Sequence, residues 1–95
     1  MNITVQAIEI GKVTLVLQKQ TPAPKFGYEL GSAEGFRVSY DSVRGYSAEF
    51  YDPESAVRVE VTGWWSPEAA VDALKTRLGI LLGSISKILT TGGRL

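Results

Sequence analysis

The sequence contains no cysteine and no histidine among its 95 residues. Without cysteine the chain can form no disulfide bond and offers no thiolate nucleophile. Without histidine it lacks the commonest general base and the commonest ligand of transition metals. Serine triads, zinc hydrolases and zinc deaminases are therefore excluded in their standard forms. We expect no catalytic, metal-binding or cofactor-binding residue, and the chain is predicted not to be an enzyme.

The chain also lacks an excess of charge of either sign, because ten lysines and arginines face ten aspartates and glutamates. Residues 1–50 carry five positive and five negative charges, and residues 51–95 do as well. Proteins that bind nucleic acid usually carry a basic excess, since contacts with phosphate supply most of their affinity. The balance therefore disfavours nucleic acid as a partner.

Long apolar runs are absent as well. No run approaches the roughly 18 residues that span a membrane, and the first residues alternate like a strand and lack the basic start of a secretory signal. We therefore expect a cytoplasmic protein that does not associate with membranes. With 44% hydrophobic residues, a chain of this length is expected to fold as one domain over residues 1–95.

Alternation of apolar and polar residues predicts about six strands between residues 3 and 62. Gly11-Lys12 fits the two-residue loop of a type II′ hairpin, and two prolines indicate a loop over residues 18–25. Short connections and one polar face predict an antiparallel β-meander. The apolar members of the alternating segments are Val13, Leu15, Leu17, Phe26, Tyr28, Leu30, Phe36, Val38, Tyr40, Tyr46, Ala48, Phe50, Val57, Val59 and Val61.

One long C-terminal helix is predicted over residues 66–90, followed by a short tail. Ser66 fits an N-cap and Pro67 the first helical position. Trp65 precedes the cap, where a hydrophobic staple would hold it against Ala70. An apolar stripe at helical spacing predicts that the helix packs on one face of the sheet, which makes the fold class α+β. The stripe consists of Val71, Leu74, Leu78, Leu81, Leu82, Ile85, Ile88 and Leu89.

Five residues are candidates for binding a partner. Trp64 and Trp65 cannot both face inward in a regular strand, so one is predicted in the core and the other exposed, either as an interface anchor or along the rim of the sheet. Gly79 and Gly83 each cost a helix about 1 kcal/mol relative to alanine. We therefore expect a close approach to the backbone there, by the sheet, by a bend or by a second chain. Ile80 projects opposite the apolar stripe.

A partial resemblance covers about residues 45–82. It is carried by Gly45-Tyr46, Ala48-Glu49-Phe50 and Asp52-Pro53, by the strand after them, and by the helix start at residues 66–70. This segment resembles the HicB-like antitoxin domain, although it lacks the short Pro-Gly-Cys segment of that family. The resemblance implies a small non-catalytic module that binds another protein, such as a toxin, nuclease or other effector, and often oligomerises.

These features predict a protein-binding module that inhibits or regulates a protein partner, of an antitoxin-like or phage counter-defence type. The alternative is a structural subunit of a phage-type or other homo-oligomeric assembly, built through a sheet edge and the helix. A homodimer or a higher oligomer is compatible with both functions.

Overall fold

A computed structural model describes residues 2–79, which form six antiparallel strands and one helix. The elements are β1 (Asn2–Ile10), β2 (Val13–Thr21), β3 (Tyr28–Ala33), β4 (Phe36–Asp41), β5 (Gly45–Asp52), β6 (Val57–Trp64) and α1 (Pro67–Leu78). The α+β class is confirmed. The single six-stranded meander is wrong, because β1 and β2 form a separate hairpin beside a four-stranded sheet of order β3-β4-β5-β6.

The hairpin is longer than the sequence predicted. Its two strands pair without a register shift from Asn2 opposite Thr21 to Ile10 opposite Val13. Gly11 has φ of +62°, which fits the first central position of the predicted type II′ turn. Residues 18–21 were predicted to belong to the loop that contains the two prolines, but they complete β2. Their backbone pairs with residues 2–5 of β1, and that pairing overrides their weak strand propensity.

The hairpin and the four-stranded sheet are joined by packing and not by a hydrogen-bonded ladder within residues 2–79. A loop that contains Pro22 and Pro24 connects β2 to β3, and β2 then lies beside β3. The carbonyl oxygen of Val16 lies where a Cβ atom on Gly31 would be, so only glycine allows this approach. A bulge at Leu30 interrupts the pairing of β3 with β4 next to the contact.

The core is one cluster to which the hairpin, the sheet and the helix all contribute. As predicted, α1 packs on one face of the sheet, against β4, β5 and β6. Two predicted core residues are exposed instead. Phe26 precedes β3 and is 84% exposed, and Val57 at the start of β6 is 43% exposed. The buried apolar residues are Ile10, Leu15, Leu17, Leu30, Phe36, Val38, Tyr46, Ala48, Val61, Ala70, Val71 and Leu74.

The helix begins as predicted and ends earlier. The Ser66 hydroxyl accepts a hydrogen bond from the amide of Ala69 at 3.1 Å, and Pro67 occupies the first turn. Gly79 has φ of +67° and forms a left-handed C-cap after Leu78, so the helix described has 12 residues and does not run through Gly79 as a helix over 66–90 would. The apolar periodicity of the sequence continues past Gly79, so the pattern gave no sign that the helix ends there. Residues 80–90 lie outside the described part of the chain.

Candidate protein-binding surface

Four aromatic residues lie side by side across one end of the four-stranded sheet. Tyr28 is opposite Tyr40, Tyr40 is opposite Tyr46, and Tyr46 is opposite Trp64. Ring centroids are 5.9 Å apart for the first pair and 4.8 Å for the second, in edge-on and tilted arrangements, which are the geometries that aromatic pairs favour. These four residues, here named the aromatic row, all pack against the core.

A bulge in β6 decides which tryptophan faces inward. Tyr46 is opposite Trp64 but Ala48 is opposite Val61, so β6 uses one residue more than β5 over this stretch. Gly63 accommodates the extra residue with φ of +85°. The bulge places Trp64 on the same face as Val61, where strict alternation would put it on the opposite face. Trp64 is half-buried against the core.

Trp65 extends the aromatic row beyond the sheet. Its side chain is 77% exposed, and its ring centroid lies 5.4 Å from that of Trp64 in a tilted arrangement. Because so little of the Trp65 side chain is covered, the predicted hydrophobic staple with Ala70 does not hold it in place. Of the two tryptophans, Trp65 is the exposed one, and Trp64 is half-buried and packs against the core without belonging to its fully buried residues.

Residues near Trp65 contact the hairpin. Ser66 caps α1 immediately after Trp65, and the Gln6 side chain of β1 donates a hydrogen bond to the Glu68 carboxylate. That hydrogen bond, with the backbone amide of Glu68 itself, lowers the pKa of the Glu68 carboxyl. The Lys19 ammonium of β2 lies 5.3 Å from the centre of the Tyr46 ring. Trp65 is thus an exposed indole next to a capped helix start, and that helix is hydrogen-bonded to β1.

Gly79, the remaining predicted partner-binding residue within residues 2–79, is not brought to this end of the molecule. Gly79 lies at the opposite end of α1 from Trp65, and a helix of this length extends about 18 Å. No described atom lies within 4 Å of a Cβ placed on Gly79. The described part of the sheet therefore does not approach Gly79, and the left-handed backbone explains the glycine. The approach of a second chain stays a prediction. Ile80 and Gly83 lie outside the described residues and stay predictions.

The sequence did not reveal a second surface on the opposite face of the sheet. This groove, here named the sheet groove, has a volume of about 730 Å³, and its lining includes Glu29, Arg37, Glu49, Tyr51 and Arg58. Glu49 is only 8% exposed and accepts hydrogen bonds from both arginines. Burial raises the pKa of the Glu49 carboxyl, but the hydrogen bonds and charges of the two arginines outweigh it and lower the pKa. Only the strand register shows that these three residues meet.

The charges that line the sheet groove favour binding of neither a simple anion nor a metal ion. Its two arginines face three glutamates, which are Glu29, Glu34 and Glu49, so two positive and three negative charges leave one negative charge. Both arginines are more than half exposed and keep free N–H donors, while the carboxylate between them repels a bound anion. Within residues 2–79, no three acidic side chains lie close enough to hold a metal ion. The groove is a polar surface of mixed charge.

The aspartates in the tight turns have structural roles. The Asp41 carboxylate accepts hydrogen bonds from the amides of Val43 and Arg44 at 2.7 and 3.2 Å. The Asp52 carboxylate accepts one from the amide of Glu54 at 3.2 Å. Side chains that bond to their own turn in this way stabilise it.

Comparison with known proteins assigns no family. No protein-family model matches the chain, and neither a curated protein nor a solved structure matches it. The resemblance to HicB-like antitoxin domains over residues 45–82 therefore stays a prediction. Among the described residues, no helix has the length and apolar character needed to cross a bilayer.

Proposed function

We propose that the protein is a small non-catalytic module that binds a protein partner and inhibits or regulates it by covering the partner's working surface. The observation that carries the proposal is the exposed Trp65 ring supported by the half-buried Trp64 ring. The resemblance to HicB-like antitoxin domains favours a toxin, nuclease or other effector as the partner. A cytoplasmic location fits such a role and remains part of the proposal.

Two physical arguments support Trp65 as the anchor of this contact. An indole that is 77% exposed leaves a large apolar surface in water, and its burial by a partner is favourable by about 25 cal/mol for each Å² covered. The ring also lies beside that of Trp64, and the capped helix start restricts the adjacent backbone, which reduces the conformational freedom lost on binding. Aromatic residues of this kind dominate the energetics of many interfaces.

The test compares the partners captured by the tagged protein and by two variants. Trp65→Ala removes the proposed anchor. Tyr51→Ala is the matched control, because Tyr51 is an exposed aromatic residue in the sheet groove on the opposite face. Each protein is used to capture partners from a nuclease-treated bacterial lysate, and the partner found with the unchanged protein is then purified and titrated by calorimetry.

We expect one dominant partner at a fixed ratio, bound at least about tenfold more weakly by Trp65→Ala and equally well by Tyr51→Ala. Equal binding by Trp65→Ala, with an unchanged circular dichroism spectrum, would contradict the role of Trp65. Weaker binding by Tyr51→Ala alone would instead assign the contact to the sheet groove.

The second candidate function is a structural subunit of a phage-type or other homo-oligomeric assembly. A different observation favours it, namely the long outer edge of β1, which pairs with no other strand in residues 2–79. Exposed strand edges of this kind readily pair with another chain. The mass of the purified protein in solution, measured by light scattering, distinguishes an assembly of many copies from an inhibitor, which does not need them.

A further inference from the structure

The outer edge of β1 lacks the devices that usually protect a sheet edge. The strand has nine residues, Asn2–Ile10, and contains no proline, lysine or arginine. Its pairing with β2 runs from end to end without a bulge. Its only charged residue is Glu9, next to the loop. Natural proteins commonly protect an edge with prolines, charges or bulges, because an unprotected edge pairs with another strand.

The hairpin loop fixes which backbone groups of β1 point outward. In a hairpin with a two-residue loop, the residues that flank the loop exchange both ladder hydrogen bonds, and bonded pairs alternate from there. Ile10 and Val13 flank the loop, so the even-numbered residues of β1 bond to β2. The free N–H and C=O groups of the edge belong to Ile3, Val5, Ala7 and Glu9.

The side chains of the same residues form an exposed apolar surface. Ile3 is 54% exposed and Val5 is 66% exposed, and Val16 beside them on β2 is 51% exposed. Ala7 is exposed as well and lies directly opposite Val16. A two-stranded hairpin is stable in water only when further strands or other elements pack on it. The inner face packs on the core, whereas the outer face and the edge are open in residues 2–79.

We propose that β1 pairs with β1 of a second copy, antiparallel and around a two-fold axis at Val5, to form a four-stranded sheet of order β2-β1-β1-β2. Val5 is then opposite Val5 of the other copy, and Ile3 is opposite Ala7. These are the residues whose backbone groups are free, so each pair exchanges both hydrogen bonds. The paired segment, residues 2–8, contains no charge, and no like charges meet.

The sequence of β1 is self-complementary around Val5: an axis at Thr4 would shorten the pairing, and an axis nearer the loop would bring Glu9 into it. An axis at Gln6 would place Ile3 opposite Glu9, and an axis at Ala7 would place Val5 opposite Glu9. Either alternative sets a carboxylate beside an apolar side chain within the pairing. The register around Val5 leaves Glu9 outside the paired segment. This self-complementarity is the reason for proposing a second copy and not an unrelated strand.

The proposal rests on the second candidate function and is independent of the surface around Trp65. Its test uses the absence of native cysteine, which allows single thiols to be placed at will. Val5→Cys places two thiols about 5 Å apart across the axis, within reach of a short bismaleimide crosslinker. Thr14→Cys is the control, because Thr14 is exposed on β2 and the two copies of it would be separated by more than about 14 Å.

A second pair of variants tests the contribution of the edge to assembly. Val5→Lys places two ammonium groups opposite each other at the axis, whereas Val16→Lys adds the same charge to the same face on the strand away from the edge. Light scattering during size-exclusion chromatography, over a range of concentrations, reports the association of each protein. We expect about tenfold or greater weakening for Val5→Lys and little change for Val16→Lys.

The outcomes separate the interface from the function. The proposal is supported by a dimer or higher oligomer that crosslinks in the Val5→Cys variant and not in the Thr14→Cys variant, and that Val5→Lys weakens. An oligomer that does not crosslink in the Val5→Cys variant overturns the β1 interface and leaves the second candidate function in place. A monomer at all concentrations overturns both.

Discussion

At the scale of single residues, Glu49 shows how one carboxylate organises the outer face of the four-stranded sheet. It is nearly buried, and two arginines from neighbouring strands donate hydrogen bonds to it. Because the arginines lower its pKa below the ordinary glutamate value, the ionised carboxylate stabilises the folded state. This stabilisation is present above the ordinary glutamate pKa and is lost as the pH falls through the lowered value.

We therefore expect Glu49→Gln to lower the free energy of unfolding by about 1–3 kcal/mol near neutral pH, the range for a hydrogen-bonded group left without its partner. The variant should also lose less stability than the unchanged protein between about pH 7 and about pH 3. Urea unfolding at both values of pH measures this. Glu60→Gln is the matched control, because Glu60 lies directly across from Glu49 and is exposed. Parallel loss of stability in all three proteins would contradict the role of Glu49.

At the scale of elements, most strands and the start of the helix could be predicted because their signals are local. Alternation identified the strands, and Ser66-Pro67 identified the helix N-terminus. The end of the helix could not be found in this way. Gly79 interrupts an apolar pattern that continues at the same spacing, and its left-handed backbone is not visible in the pattern. Only the structure shows that Gly79 is a cap and not an interior residue.

The cap at Gly79 leads to a prediction about the helix. Gly79→Ala should lower the free energy of unfolding by about 1–2 kcal/mol, since a residue with a Cβ atom is strained in the left-handed conformation. No described atom lies near that Cβ position, so the cost is conformational and not steric. Gly79→Asn should recover most of the loss, because asparagine tolerates this conformation. Chemical denaturation followed by circular dichroism checks both variants, and an equal loss for alanine and asparagine would contradict the capping role.

Strand pairing was the hardest property to predict, because it depends on contacts between distant parts of the chain. Residues 18–21 became strand only through their register with β1, and the division into two sheets has no local signal.

The candidate surface also could be predicted only in part, because it too depends on contacts between distant parts of the chain. The two tryptophans were recognisable from their residue type, but the bulge at Gly63 decided which one faces water. The meeting of Arg37, Glu49 and Arg58 across three strands was missed for the same reason.

At the scale of the whole molecule, the hairpin is attached to the sheet through side chains. Leu15 and Leu17 of β2 are almost completely buried in the shared core, and no ladder joins β2 to β3 in the part of the chain described. The stability of the hairpin therefore depends on a few apolar contacts. The rest of the molecule loses part of its core when these contacts are weakened.

We expect Leu15→Ala to lower the free energy of unfolding by about 2–5 kcal/mol, the range for a buried leucine replaced by alanine. Amide hydrogen exchange should increase most in β1 and β2, where the attachment is lost. Val16→Ala is the control, since Val16 is about half exposed and its replacement should cost less than about 1 kcal/mol. A loss of exchange protection spread evenly over all six strands would show that the hairpin and the sheet unfold as one unit.

Packing between side chains, unlike a ladder, does not require one strand to match another residue by residue. The hairpin is therefore an exchangeable part. Another hairpin with an apolar inner face and a carbonyl that fits over Gly31 could be grafted in its place without altering the four-stranded sheet. Evolution or design can then change what the molecule presents at its edge, provided that the contacts made by Gln6 and Lys19 near Trp65 are kept.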